Sequence, residues 1–301
     1  MIPQFPEFKN IEISDRDDVK RFLRDYPPYS DFDFTTLWSW DVDENRGLSM
    51  LSNNLIVRFS DYLTGEVFYS FLGANRLEET VKALFDFALL NKHSTDLRFV
   101  PHEVIPEGYA INDIADVLED PDNHDYIYST KELSEYHGSK YAQARNLLSR
   151  FNRRNGSVAV FDIDLADKES GNRILGVTKE WQNNKGKYVT REELALKRLI
   201  DKSEDFDLVN FGVMVDDVVV AFAMNEVLYD GYAISHFAQA NIQYPGAYSF
   251  LIHTIAERMY RRGCNFLNYE QDLGLPGLRQ AKKSYCPTHF LKKYSIVARQ
   301  V

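Results

Sequence analysis

Cysteine is scarce in this chain, with only Cys264 and Cys286 among 301 residues. Two thiols cannot build a disulfide framework, and both suit a reducing compartment. The Cys and His residues also lack the spacing of a metal-ligand cluster, so no metal is expected. Positive charge is in deficit: 35 Lys and Arg stand against 45 Asp and Glu, for a formal net charge of -10. A general nucleic-acid binder has the opposite balance, which argues against DNA and requires any RNA or anionic substrate to meet a local basic patch. No apolar run reaches the ~20 residues of a membrane helix. The segment Met1–Asn10 has no basic flank followed by an apolar core, as a signal peptide would. The expectation is a cytoplasmic protein with at most peripheral membrane contact. A Ser-His-Asp arrangement is missing too. His137, His236, His253 and His289 are scattered, and a lone histidine is more often structural than catalytic.

Aromatic residues are plentiful, at 20 Phe and 18 Tyr, enough for well-filled cores. The order of elements repeats. In the first half, Gly47–Leu51, Leu55–Phe59 and Glu66–Leu72 read as a three-strand meander, with a hairpin at Ser52-Asn53-Asn54. Asn75 and Glu78 have capping-box spacing ahead of a helix with Leu77, Val81, Leu84, Phe85 and Ala88 on one face. The strand Leu97–Val100 follows. In the second half the meander is Leu208–Val215, Val218–Leu228 and Tyr232–Ala238, turned at Asp216-Asp217 and Asp230-Gly231. A helix over Ala247–Arg262 carries the stripe Tyr248, Leu251, Ile252, Ile255, Ala256, Met259 and Tyr260, ends on Arg261 and Arg262, and is capped by Gly263. Cys264–Tyr269 is the next strand. The polar turn near Pro121–Ser129 is the natural join, giving domains 1–128 and 129–301.

Four segments carry candidate chemistry. The loop Asn241, Gln243, Gly246, Ala247 and Tyr248 opens the long helix, whose N-terminal N–H groups suit a donor phosphate; an ordinary tight loop is the plain alternative. At the end of the last strand, Glu270 and Asp272 are candidates for a proton-accepting base, with Asp272 alternatively a helix cap. Arg279, Lys282 and one of Lys292 and Lys293, adjacent in a strand, offer charge for acidic groups, and Tyr285 a proton for a leaving group. Lys140 and Arg145 open a basic amphipathic stretch that continues through Arg150, Arg153 and Arg154; the plain reading is a solvated face.

Residues Gly212–Val297, through their meander, the Gln243–Gly246 loop and the following helix, resemble the GNAT superfamily of N-acyltransferases. The family loop has Gly or Ala where this chain has Tyr248. A narrower likeness runs through Tyr29-Ser30-Asp31-Phe32, Gly138–Phe151, Asn268–Gly274, Gly277-Leu278-Arg279, Ala281-Lys282, Ser284-Tyr285 and Lys292-Lys293-Tyr294. These resemble an uncharacterised bacterial family related to the C-terminal catalytic domain of phosphatidylglycerol lysyltransferases, built like the Fem-type peptidyltransferases from paired GNAT-like domains. The resemblance implies an α/β fold of two tandem GNAT-like domains, each a mixed, mostly antiparallel sheet flanked by helices. It implies a donor site in the second copy; the first, whose Gly73-Ala74-Asn75 loop is short and has no donor-binding signature, is expected to be structural. The implied activity is transfer of an acyl or aminoacyl group, from acyl-CoA or aminoacyl-tRNA as co-substrate, to an amine or hydroxyl on a small molecule, lipid headgroup or peptide. No permanently bound cofactor is expected. A non-catalytic protein binding a ligand in the same cleft is the alternative.

Overall fold

The computed structural model describes residues 1–105, 114–182 and 189–299, with the backbone alone at 181, 182, 189 and 190. The chain divides into two compact units, Met1–His124 with Leu291–Val301, and Asp125–Phe290.

In the first unit, β1 (Lys9–Asn10), α1 (Arg16–Leu23) and α2 (Phe34–Ser39) precede the meander β2 (Gly47–Leu51), β3 (Asn54–Ser60) and β4 (Val67–Leu72). Helix α3 (Leu77–Leu90) then leads to β5 (Leu97–Pro101), and β6 (Ala115–Glu119) follows. The hairpin between β2 and β3 turns through Ser52 and Asn53, at φ 52° and 65°. Two successive left-handed residues form the turn that matches strand twist. The start of α3 is held by Asn54 rather than by the expected Asn75–Glu78 box. Asn54 Nδ2 donates to the Asn75 carbonyl (2.7 Å) and to Thr80 Oγ1 (3.0 Å), while its Oδ1 accepts from Asn75 N (3.0 Å). Gly73, at φ 122°, lies so close that a Cβ there would stand 2.4 Å from Asn54 Oδ1.

The second unit contains β7 (Asp125–Ser129), α4 (Thr130–Glu135), α5 (Ala142–Arg154), β8 (Val158–Asp162), α6 (Lys168–Gln182) and α7 (Val189–Asp201). Its meander is β9 (Leu208–Val215), β10 (Val218–Val227) and β11 (Tyr232–Ala240), followed by α8 (Ala247–Arg261), β12 (Phe266–Asn268) and α9 (Pro276–Ser284). Both hairpins again use two left-handed residues, Asp216-Asp217 and Asp230-Gly231. Leu251, Ile252, Ile255, Ala256 and Met259 of α8 are buried against the sheet core. Each of the large ones contributes about 1.5–3 kcal/mol by leaving water. Gly263, at φ 85°, ends the helix as expected, with Cys264 N donating to Met259 O (3.1 Å) and Gly263 N to Tyr260 O (2.9 Å).

Among the described residues each sheet has seven strands. The last two strands of the chain are β13 (His289–Leu291), at the edge of the second sheet, and β14 (Lys293–Ala298), which lies between β5 and β6 of the first. A division at 128/129 assigns this tail to the second half. In the structure its final strand instead pairs with Pro101, Val100 and Leu97 on one side and with Glu119–Ala115 on the other. The strand beside each parallel strand, β14 next to β5 and β7 next to β12, thus comes from far away in sequence, which no local pattern signals.

The inserted strand carries a fully buried ion pair, Lys293 with Asp31. Tyr62 donates to Asp31 Oδ1 (2.9 Å), and the Lys293 ammonium lies 5.8 Å from the Phe99 ring centroid. Removing one member strands a charge in the interior. Lys293→Met is therefore expected to cost about 3–5 kcal/mol in urea unfolding, and Lys293→Met with Asp31→Leu to recover most of it. Equal losses in both variants would refute the pairing.

Candidate active site

Strands β11 and β12 run parallel but pair over only three positions, Tyr232↔Phe266, Ala233↔Leu267 and Ile234↔Asn268. Strand β11 continues to Ala240 while the β12 segment turns away, so the two diverge. On its other side β11 pairs with β10, where the register slips between Met224 and Asn225, leaving His236 as the extra residue between Ser235 and Phe237. A bulge re-aims a side chain. Here it sets the imidazole beside Glu226 of β10, with Nε2 3.5 Å from a carboxylate oxygen. Its Nδ1 is 3.8 Å from Glu270 Oε1, just past the end of β12. His236 and Glu226 are buried, and the Glu270 side chain keeps 20% of its exposure. A histidine flanked by two carboxylates has the chemistry to exchange a proton with either of them.

The segment bearing Glu270 is fixed from several sides. Glu270 has φ 56°, an uncommon left-handed conformation for a residue with a side chain. Its N–H donates to Asn268 Oδ1 (2.8 Å), and its carbonyl accepts from Tyr126 N (3.1 Å). From α9, the buried Lys282 ammonium donates to the Tyr269 and Gln271 carbonyls, the latter at 2.6 Å. Arg279 forms two bonds to the Asp272 carboxylate, at 2.9 and 2.8 Å, and Tyr126 donates to it at 2.6 Å. Asp272 is fully buried and also accepts from Gly274 N (2.9 Å). Burial pushes its carboxyl up, but the bonds from Arg279, Tyr126 and Gly274 outweigh this and hold it below the usual range.

The expected site residues separate on this geometry. Glu270 stands at the divergence. Asp272 anchors the loop, because its oxygens are spent on Arg279, Tyr126 and Gly274. Tyr285 is a core residue: it is 7% exposed, its hydroxyl bonds Ser249 Oγ (3.0 Å), and burial pushes its pKa up. Tyr248 likewise turns its hydroxyl to that of Tyr269 (2.9 Å). Asn241 Oδ1 caps Gln243 N (2.9 Å) and its amide donates to Glu180, so it shapes the loop from within. Gln243 is exposed and Ala247 buried. Gly246, at φ 96°, is demanded by packing: a Cβ there would meet the Leu147 carbonyl at 2.4 Å and Phe151 Cβ at 3.0 Å, both of α5.

The cations named from sequence are engaged by the protein itself. Lys140 pairs with Glu132 (2.7 Å), and Arg145 donates to the Tyr136 and Gly138 carbonyls. Lys292 pairs with Glu119 (3.1 Å) in the first unit, where Lys293 meets Asp31. Lys292 lies just ahead of β14, outside any strand. Glu226 and His236 were not expected. The Asp230-Gly231 hairpin offered a signal, since counting back from it brings Glu226 to the neighbourhood of Ser235-His236. The one-residue slip that completes the cluster has no sequence mark.

The chain matches the family model "Phosphatidylglycerol lysyltransferase, C-terminal" over residues 26–297. It belongs to that family. Among solved structures, a conserved protein of unknown function from Bacteroides thetaiotaomicron is 25% identical, with 99% of this chain and 100% of that one covered and a TM-score of 0.83. L-PGS from Bacillus licheniformis is 16% identical over 100% of this chain and 95% of its own, at TM-score 0.62. FemX is 9% identical over 96% of each, at 0.54, and shares the fold. No curated protein sequence matches. Family and fold together make this a GNAT-like member of the acyl and aminoacyl transferases. No helix among the described residues is long and apolar enough to cross a membrane.

Asp272→Asn is expected to lower stability by about 2–4 kcal/mol, because Arg279 loses its buried counter-charge. The native carboxyl has a depressed pKa, so the wild-type advantage holds above the unfolded value near 4 and fades as pH falls through the native one. Urea midpoints of wild type and Asp272→Asn between about pH 7 and pH 2 should converge at the acid end. A constant gap would exclude this carboxylate as the anchor.

Proposed function

We propose that the chain is an aminoacyltransferase whose second unit moves an aminoacyl group from the 3′ ester of a charged tRNA to an amine or hydroxyl acceptor, of which a lipid headgroup or a peptide is an example. The observation that carries this reading is the Glu226–His236–Glu270 cluster at the divergence of β11 and β12. An aminoacyl ester presents an ammonium next to its reactive carbonyl, and a pair of carboxylates favours that cation. An acetyl thioester has no such group. Gly246 points the same way, since its conformation serves the close approach of α5 and needs no pyrophosphate to explain it.

In this mechanism the donor carbonyl lies along β11 beyond Ile234, where β12 no longer occupies the strand edge. The acceptor nitrogen or oxygen attacks the carbonyl carbon. Glu270 takes the proton that the acceptor loses, and His236 stabilises the resulting carboxyl. The tetrahedral intermediate collapses by breaking the ester C–O bond. The ribose hydroxyl leaves with the proton returned from Glu270, so no proton is gained or lost overall. No covalent enzyme intermediate is needed. Arg279, Lys282 and Asp272 act as positioning residues, keeping Glu270 in its left-handed conformation. The first unit serves as a structural copy. Its equivalent helix start is filled by Asn54, which supports that role.

Glu270→Gln should reduce the turnover of aminoacyl transfer by about 10²–10⁴-fold, with little change in donor affinity. Tyr285→Phe should leave turnover nearly unchanged, because its hydroxyl is bonded to Ser249 in the core and not presented at the divergence. The assay is transfer of a radiolabelled amino acid from bulk charged tRNA to phosphatidylglycerol vesicles or small amine acceptors. Equal turnover in wild type and Glu270→Gln would refute the base assignment. Donor binding without transfer to any acceptor would favour a non-catalytic binding protein.

A further inference from the structure

Asp125 opens β7 and is fully buried, and so is Asn268, which ends β12. The two strands pair antiparallel with Asn268 opposite Ile127, so Asp125 is the diagonal neighbour of Asn268 on the same face. Their side chains meet: Asn268 Nδ2 donates to Asp125 Oδ2 at 3.1 Å. The other end of the same amide is the Oδ1 that accepts the Glu270 N–H at 2.8 Å. A bond from a backbone N–H to the side-chain oxygen two residues earlier is an Asx turn, with which Asn and Asp impose a local bend on the chain. Here it coincides with the left-handed conformation of Glu270, at φ 56°.

An amide side chain is nearly symmetric in shape, but its two ends are opposite in hydrogen-bonding sense. Turned by half a revolution, Asn268 would aim its NH2 at the Glu270 N–H, donor against donor, and the Asx turn would be lost. The Asp125 carboxylate opposes that turn, because it accepts and would then face the amide oxygen. We propose that Asp125 is a positioning residue for the transfer reaction: it fixes the Asn268 amide in one orientation, and Asn268 in turn holds the Glu270 backbone so that the Glu270 carboxylate stands beside His236 at the strand divergence. The inference rests on the reading of Glu270 as the proton acceptor. This support differs in kind from the α9 clamp. Arg279 and Lys282 bind the flanking residues, at the Asp272 carboxylate and the Tyr269 and Gln271 carbonyls. The Asp125–Asn268 pair comes from β7 and acts on the N–H of Glu270 itself. Displacing a reacting group by about 1 Å can cost about 10²-fold in rate, which gives a buried acid on the neighbouring strand a hold on turnover.

The test compares the full chain with Asp125→Ala, with Asn268→Asp, and with the exchanged pair Asp125→Asn plus Asn268→Asp. Asn268→Asp alone sets two buried carboxylates face to face. In the exchanged pair the amide at position 125 donates to the carboxylate at position 268, whose second oxygen accepts the Glu270 N–H again. Amide hydrogen exchange is read at Glu270 and, as a control, at Tyr269, whose N–H donates to the Tyr126 carbonyl (2.9 Å). In both single variants the Glu270 amide should exchange about tenfold faster while Tyr269 keeps its rate, and the exchanged pair should restore protection. The kcat of aminoacyl transfer should fall about 10–100-fold in the single variants, with KM for charged tRNA near wild type, and return in the exchanged pair. Faster exchange at Tyr269 and Glu270 together would mean that Asp125 only stabilises the pairing of β7 with β12, and would overturn the inference. So would wild-type kcat in Asp125→Ala, or an exchanged pair that restores neither protection nor turnover. If Asp125→Ala fails to fold, Asn268→Asp against the exchanged pair decides. Exchange needs no substrate, so the two readings part cleanly: the expected pattern at Glu270 together with wild-type turnover in Glu270→Gln would refute the base assignment and uphold the hold of Asp125 on Glu270.

Discussion

The second unit is organised around a parallel strand pair that stops pairing early. Three paired positions hold β11 to β12, and beyond Ile234 the strands separate. A parallel pair normally continues because every unpaired N–H and C=O in the interior is costly. Here the β12 chain satisfies itself elsewhere: Tyr269 and Glu270 exchange bonds with Tyr126 of β7, and Lys282 covers two of the carbonyls. The edge of β11 past Ile234 is thereby released from its usual partner. A divergence of this kind is where an extended donor can lie along a strand and still present its carbonyl to side chains on both flanks.

The same divergence explains why the polar residues cluster as they do. The slip between Met224 and Asn225 adds one residue to β11 and turns His236 toward Glu226. Glu270 is brought from the other branch by a left-handed turn that needs external support. That support is the α9 clamp of Arg279 on Asp272 and Lys282 on the Tyr269 and Gln271 carbonyls. A basic helix that looks from sequence like an acid-binding surface spends two of its cations inside the protein. Their positive charge holds the carboxylate-bearing loop.

Local structure was largely legible in the sequence. The meander strands, the left-handed hairpin pairs and the Gly263 stop of α8 follow from periodicity and turn chemistry, which act within a few residues. The repeated order of elements came from the same signals. What could not be read depends on distant pairing. The tail strand lies between β5 and β6 of the first sheet and sets Lys293 on Asp31, over sequence separations that no pattern encodes. The Glu226–His236 pair was hidden by a one-residue register slip. The partners of Lys140, Arg145, Arg279 and Lys282 were hidden by the same long range: a lysine looks equally available whether it faces water or a buried carbonyl.

Engaged cations also change what the remaining ones mean. Lys140, Arg145, Arg279 and Lys282 all meet groups of the protein itself, so their charge shapes loops and helix ends from within. Arg150, Arg153 and Arg154 differ in being exposed, on a helix whose buried side packs against Gly246. Lacking a Cβ, Gly246 lets the buried side of α5, through Leu147 and Phe151, approach the start of α8.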